Sequence, residues 1–254
     1  MPELDGTVAI VTGASRGIGK GLALGLAAAG ASVTCAARTL LDGEHELPGT
    51  VTATVDEIRV AGGEALAVRC DIGNADDITS MVSATTDAYG RIDVLVNNAM
   101  TPTRGLFAES TIDDWEQSMR INVRSLFLTA QEVVPIMEAG GGGSIINISS
   151  GAADPEITGM PPGYLIYCVA KAALERFSTA LALEVADRGI AVNALRPGAV
   201  RTEMSTHELG EDFDWTGWET PAAVVPAVSY LAVQRGDGFT GRIVDSTQYG
   251  TVWP

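Results

Sequence analysis

Tyr167 and Lys171 stand four residues apart in the run Tyr167-Cys168-Val169-Ala170-Lys171. On a helix that spacing puts the phenol and the ammonium on one face. A free tyrosine titrates at about 10 and is a poor base at neutral pH. A nearby cation favours the phenolate and is expected to lower that value. Such a tyrosine can give a proton to a carbonyl or take one from an alcohol. Tyr164 fails the same test, because Cys168 lies four residues on, so Tyr167 is the candidate acid/base and Tyr164 reads as a loop aromatic. Ser149 and Ser150 close the run Ile145-Ile146-Asn147-Ile148. A hydroxyl there can hydrogen-bond a substrate oxygen and share its developing charge.

A second constellation lies near the start of the chain, in Thr12-Gly13-Ala14-Ser15-Arg16-Gly17-Ile18-Gly19. It follows an apolar β-type run and opens an alanine- and leucine-rich helical stretch. Glycines there allow a tight turn, close backbone approach to a pyrophosphate, and close packing of helix on strand. The helix start presents free N–H groups and a partial positive charge to phosphates. The second β-type run ends Ala36-Ala37-Arg38. An NAD site usually places an acid there, whereas an NADP site omits the acid and supplies an arginine. Ala37 stands at the acidic position, Arg38 follows, and Arg16 lies in the turn. Arginine suits a phosphate because its fork binds through two bonds. These residues predict NADP(H) over NAD(H), the alternative being that Arg38 is only a solvated strand end.

The elements that must position these groups can be read from periodicity. Apolar β-type runs at 7–12, 32–36, 65–70, 94–96, 144–148, 191–195 and 243–244 alternate with helical stretches. The helical stretches are 20–29, 51–61, 78–89, 112–138, 167–187 and 222–233. Continuous apolar strands alternating with helices predict a parallel sheet covered on both faces. That is a Rossmann-type, doubly wound α/β fold. With no linker in view, residues 1–254 are expected to form a single domain. Two Pro- and Gly-containing stretches, 39–49 and 154–163, read as inserted surface loops.

The spacing Gly-x-x-x-Gly-x-Gly after Thr12, with Tyr-x-x-x-Lys and Asn-x-Ser-Ser, resembles the short-chain dehydrogenase/reductase family. The resemblance implies a catalytic set of Ser150, Tyr167, Lys171 and Asn122. Ser150 is favoured over Ser149, and Lys171 also holds the nicotinamide ribose. Asn122 distorts its helix and binds a water linking the lysine to solvent, placement on a polar face being the alternative. The implied cofactor contacts begin with Gly13, Ser15, Arg16, Gly17, Ile18, Gly19 and Arg38. Asp71 and Ile72 meet the adenine, unless Asp71 caps the next helix, for which Asn74 is another candidate. Asn97 and Asn98 fix the sheet and pass, with Ala99, beside the adenosine ribose. Met100 replaces the family's usual glycine and is expected to project toward the cavity. Pro197, Gly198, Val200 and Thr202 form a turn near the carboxamide.

The same resemblance makes 203–219 a mobile substrate lid. Met204, Phe213, Trp215 and Trp218 there point to an apolar or ring-containing substrate, or else simply anchor the lid, and its acids disfavour anionic substrates. The implied reaction is hydride transfer between NADP(H) and a ketone or secondary alcohol. A lyase or epimerase on the same fold, and an NADP(H) sensor without turnover, remain the alternatives. The family is commonly homotetrameric or homodimeric. The tail, Val244-Asp245-Ser246-Thr247, departs from the family's usual Val-Asp-Gly-Gly, which leaves its packing across subunits open.

Composition excludes other classes. A net charge of −16 argues against a nucleic-acid partner, since phosphate binding needs clustered Lys and Arg. Three cysteines without metal-ligand spacing read as reduced thiols in a cytoplasmic protein. The acidic N-terminus lacks a signal peptide's basic start. The apolar stretch 21–31 is shorter than the roughly 20 residues a membrane span requires, so no membrane partner is expected. His45 and His207 read as exposed loop residues.

Overall fold

The computed structural model describes residues 4–156 and 160–254. Residues 157–159 of the second insertion lie outside the described residues. Seven strands form one parallel sheet: β1 Val8–Thr12, β2 Ser32–Ala37, β3 Ala65–Arg69, β4 Val94–Asn97, β5 Gly143–Ile148, β6 Ile190–Arg196 and β7 Ile243–Asp245. Their order is β3-β2-β1-β4-β5-β6-β7, which is the doubly wound arrangement expected. The order reverses between β1 and β4. There, outside the carboxyl ends of the strands, such sheets open a ligand crevice.

The helices are α1 Gly17–Ala28, α2 Val51–Val60, α3 Ala75–Tyr89, α4 Ile112–Met119, α5 Ser125–Ala139, α6 Leu165–Val185, α7 Glu203–Leu209 and α8 Val225–Ala232. They cover both faces, so the central strands are buried throughout; β1, β4 and β5 expose no residue. Successive side chains alternate between two cores. Ala9 and Val11 join the cluster under α1, α2 and α8, while Ile10 joins the one under α3 and α5. Each fully buried Ile or Leu contributes roughly 1.5–3 kcal/mol, which holds the strand ends in fixed register.

Two boundaries differ from the sequence reading in a way that matters. The expected continuous helix 112–138 is interrupted by a π-helical turn, Arg120–Arg124, with Asn122 at its middle. The helix expected from residue 20 starts at Gly17, so the glycine turn itself supplies the first helical N–H groups. The tail folds onto its own chain. Trp253 is buried, stacks on Phe239 and donates its indole N–H to the Asp245 carbonyl at 2.8 Å. Among the described residues no helix is long and apolar enough to cross a membrane.

Candidate active site

One cavity of about 420 Å³ runs along the carboxyl edge of the sheet. Its walls are the segments that leave β1, β2, β3, β4, β5 and β6, together with the start of α6 and the 203–219 stretch. It therefore gathers residues that are remote in sequence.

At the β1 end the glycine turn is built around Asn98. Its backbone N–H donates to Thr12 Oγ1 at 3.0 Å, and its side-chain amide donates to the Thr12 carbonyl at 2.9 Å. A Cβ on Gly13 would stand 2.8 Å from Asn98 Nδ2, and one on Gly19 only 2.2 Å from the Gly13 carbonyl. Gly13 also has φ +70°, a conformation side chains rarely adopt. The turn thus brings bare backbone to the cavity beside the N-terminus of α1, which fits the diphosphate of a dinucleotide. Gly13, Ser15, Arg16, Gly17, Ile18 and Gly19 all line it.

At the end of β2, Ala37 and Arg38 line the cavity, with Arg38 exposed and Arg16 close enough for their charges to repel. Arg16 does more than the sequence foretold. Its Nε and Nη2 donate to the carbonyls of Leu47, Pro48 and Gly49 at 2.9–3.2 Å, pinning the first insertion over the groove. His45, read as a bare loop residue, is exposed but lines the same cavity. Its Nδ1 accepts from the Leu47 N–H at 3.0 Å, and the charges of Arg16 and Arg38 help hold its pKa down after burial has lowered it. A loop histidine has no spacing signal, so only the fold of the insertion reveals its place.

Asp71 and Ile72 line the cavity after β3. Asn74 caps α3, accepting from the Asp76 N–H at 2.9 Å, which leaves Asp71 outside that role. Asn97 is buried and donates to Asn147 Oδ1 at 2.9 Å, tying β4 to β5. Ala99 and Met100 line the cavity, Met100 as the departure from glycine suggested. Pro197, Gly198, Val200 and Thr202 line it after β6. Thr202 also caps α7, accepting from the Ser205 N–H at 3.1 Å. The 203–219 stretch is tied at its base, since the Arg201 N–H donates to the Glu219 carbonyl and the Glu219 N–H to that of Ala199, both at 2.9 Å.

Ser150, Tyr167 and Lys171 meet in this cavity. Ser150 stands close enough to the Tyr167 phenol to favour its ionised form. Lys171 Nζ lies 5.7 Å from the centre of the Tyr167 ring and donates to the Ile148 carbonyl at 2.8 Å. Burial lowers the Lys171 pKa to about 8, against the raising effect of Glu175. The expectation of a lowered phenol is corrected: burial pushes Tyr167 up, and outweighs the Ser150 hydroxyl and the charge of Arg104, which act downward. Removing the phenolate from water costs more than these neighbours return.

Asn122 is buried but faces a neighbouring loop. Its Oδ1 accepts from the Thr101 N–H, and its Nδ2 donates to the Thr101 carbonyl and to Ser118 Oγ, each at 3.0 Å. Ser149, the serine set aside, donates to buried Glu175 at 2.7 Å. Glu175 also takes two bonds from Arg196, whose Nη1 reaches Asp154 at 2.9 Å. This network fixes one end of the second insertion to α6 and β6.

Tyr164 and Arg104 are, with His45, among the cavity residues that the sequence reading did not assign to the site. Tyr164 is more than a loop aromatic: it stands at the N-terminus of α6 and packs edge-on against Tyr167, ring centres 6.4 Å apart. Arg104, from the loop after β4, lies over the Tyr164 ring at 4.4 Å, bonds its hydroxyl and pairs with Glu208 of α7 at 2.5 Å. No motif spacing marks an arginine in a long irregular segment.

A family model described as short chain dehydrogenase matches residues 7–212. A 3-oxoacyl-(acyl-carrier-protein) reductase of Synechocystis is 39% identical over 207 residues, 81% of this chain and 78% of that protein. A 7alpha-hydroxysteroid dehydrogenase of Clostridium sardiniense is 38% identical over 217 residues, covering 84% of this chain and 78% of its own. A solved short chain dehydrogenase from Burkholderia cenocepacia, in complex with NADP, superposes with a TM-score of 0.82 at 28% identity, over 96% of this chain and 97% of that one. The sheet order, the glycine turn and the paired tyrosine and lysine agree with these likenesses, and the chain belongs to the short-chain dehydrogenase/reductase family of oxidoreductases.

Proposed function

We propose that this chain is an NADP(H)-dependent oxidoreductase that interconverts ketones and secondary alcohols of small or apolar substrates, with Tyr167 as general acid/base. The observation that carries this reading is the meeting of Tyr167, Ser150 and Lys171 in a cavity whose other end holds Arg16 and Arg38. No carboxylate stands at Ala37, and the end of β2 offers a 2′-phosphate the exposed Arg38 with Arg16 nearby. Gly13 to Gly19, Asp71, Ile72, Asn98, Ala99, Pro197, Gly198, Val200 and Thr202 complete the proposed cofactor contacts.

When bound, the nicotinamide supplies or accepts the hydride. Tyr167 holds the proton at its hydroxyl and delivers it to the carbonyl oxygen during reduction. Its raised pKa keeps that proton in place at neutral pH. Ser150, beside the phenol, donates to the same oxygen and steadies its growing charge. Lys171 positions the ribose and fixes the tyrosine's surroundings. Asn122 holds the π-helical turn and the Thr101 loop, and so shapes the wall opposite α6. The 203–219 segment acts as the lid over the substrate.

Ile112, Trp115, Phe127, Leu165 and Val169 expose apolar surface on α4, α5 and α6, which supports assembly into a homo-oligomer. Three free cysteines suit a reducing compartment such as the cytoplasm. The test is consumption of NADPH against NADH with cyclic and aliphatic ketones. Ketone-dependent oxidation of NADPH in preference to NADH supports the reading; cofactor binding without turnover of any ketone overturns it.

A further inference from the structure

The cavity is lined by apolar side chains, Met100, Met160, Met204 and Trp218 among them, yet it also holds cations besides Lys171. Among the described residues three arginines line the cavity. Arg16 and Arg38 lie together at the cofactor end, whereas Arg104 sits beside Tyr164, itself packed on Tyr167. The neighbouring Gly105 N–H donates to the Gly163 carbonyl at 3.0 Å, so the loop bearing Arg104 is fastened to the second insertion. The guanidinium already holds a carboxylate, that of Glu208 on the lid helix α7. The pair is partly open to solvent, with side chains 42% and 27% exposed, so another carboxylate can exchange for Glu208 without leaving the arginine unpaired.

We propose that Arg104 is an anion subsite of the substrate pocket, and that the preferred substrates are apolar ketones or secondary alcohols bearing a carboxylate. The proposal rests on the oxidoreductase reading above and narrows its substrate class. Glu208 is the internal stand-in for the substrate's carboxylate, and its release frees α7 when substrate enters. Three of the six acids in 203–219 are already engaged, which weakens the repulsion of an anionic substrate that the sequence had led one to expect. Glu208 is paired with Arg104, Glu211 with Arg201, and Glu203 with the Gly17 N–H. An anion seated on Arg104 lies one aromatic ring away from the acid/base, which sets the carbonyl of a bound oxo acid near Tyr167.

The test compares straight-chain oxo acids of several lengths with their own methyl esters, which keep the skeleton and remove the charge. The wild type should favour acid over ester in kcat/KM by about tenfold or more, the scale of one charge-assisted contact. Arg104→Leu should bring that ratio close to one, whatever it does to the common rate. Arg104→Lys should restore part of it, and Glu208→Gln should lower KM for the acid. Calorimetric titration of the same acid and ester into the NADP⁺-loaded protein reads the subsite without turnover. Turnover with an acid-to-ester ratio near one in the wild type, or a ratio unmoved by Arg104→Leu, overturns the subsite and leaves the oxidoreductase reading standing. Charge-dependent binding lost in Arg104→Leu, with no turnover of either compound, upholds the subsite and overturns the reaction. Neither charge-dependent binding nor turnover overturns both.

Discussion

The Glu203 carboxylate accepts a hydrogen bond from the Gly17 backbone N–H at 2.8 Å. Gly17 is the first residue of α1, so this carboxylate sits on a donor that the helix start would otherwise offer to a phosphate. Glu203 also opens α7 of the lid, which joins the proposed cofactor groove to the segment over the substrate. A phosphate that takes the same N–H must displace Glu203. Glu203→Gln, a weaker competitor, should therefore tighten NADPH binding by about two- to fivefold, the worth of one charge at a helix terminus. Fluorescence titration checks this; unchanged or weaker binding would show that Glu203 does not compete.

Arg38 lies exposed at the end of β2, close to Arg16. Arg38→Asp places a carboxylate where an NAD site carries one, and removes a cation facing the 2′-phosphate. The ratio of kcat/KM for NADPH over NADH should fall by about tenfold or more. Equal kinetic constants for both cofactors before and after the change would show that the arginine does not read the phosphate.

The pH dependence of the reaction should follow the protonation of Tyr167. Reduction uses the phenol as acid, and burial raises its pKa, so reductive kcat/KM should hold through neutral pH and decline only as pH rises past the folded-state value. Oxidation needs the phenolate and should climb with pH instead. Tyr167→Phe should lower kcat by about 100-fold or more while NADPH still binds. A variant retaining full activity would remove Tyr167 from the chemistry.

Lys171 is 3% exposed and its pKa falls from 10.5 to about 8 on folding. Between those values the unfolded chain binds the extra proton. The contribution of Lys171 to stability should therefore rise as pH increases through 8 and level off above 10.5, set against the opposite effect of the buried thiols Cys35 and Cys70. The full effect is about 3 kcal/mol, and Lys171→Met should abolish it. Thermal unfolding of the two unliganded proteins, compared from neutral to alkaline pH, measures it. Parallel curves would mean that the ammonium is better solvated than its burial indicates.

The candidate site was most legible where its residues are local. Tyr167 and Lys171 share one helix, and Gly13, Gly17 and Gly19 share one loop, so spacing together with the family resemblance pointed to each set. The family resemblance implied a distortion at Asn122 that periodicity did not show, and the distortion is the π-helical turn. The direction of the Tyr167 shift was not legible. It depends on how much water the surrounding segments exclude, and these come from the ends of separate strands.

Periodicity by itself determined the parallel doubly wound sheet, and short motifs marked the glycine turn and the Tyr167–Lys171 pair as candidates, because these signals lie within a few positions of one another. Only the tertiary structure decided what Arg104, Tyr164, His45 and Glu203 do. Arg104 and Glu208 are far apart in the chain and belong to no repeating pattern, yet they meet across the cavity at 2.5 Å. Arg16 shows the division within one residue. Its position in the glycine turn marked it as a phosphate ligand, while its bonds to Leu47, Pro48 and Gly49 arise only when the insertion folds back over the groove. Local propensity sets which elements form. Which side chains then share a site depends on how the sheet's strand ends converge, and that is a property of the packed whole.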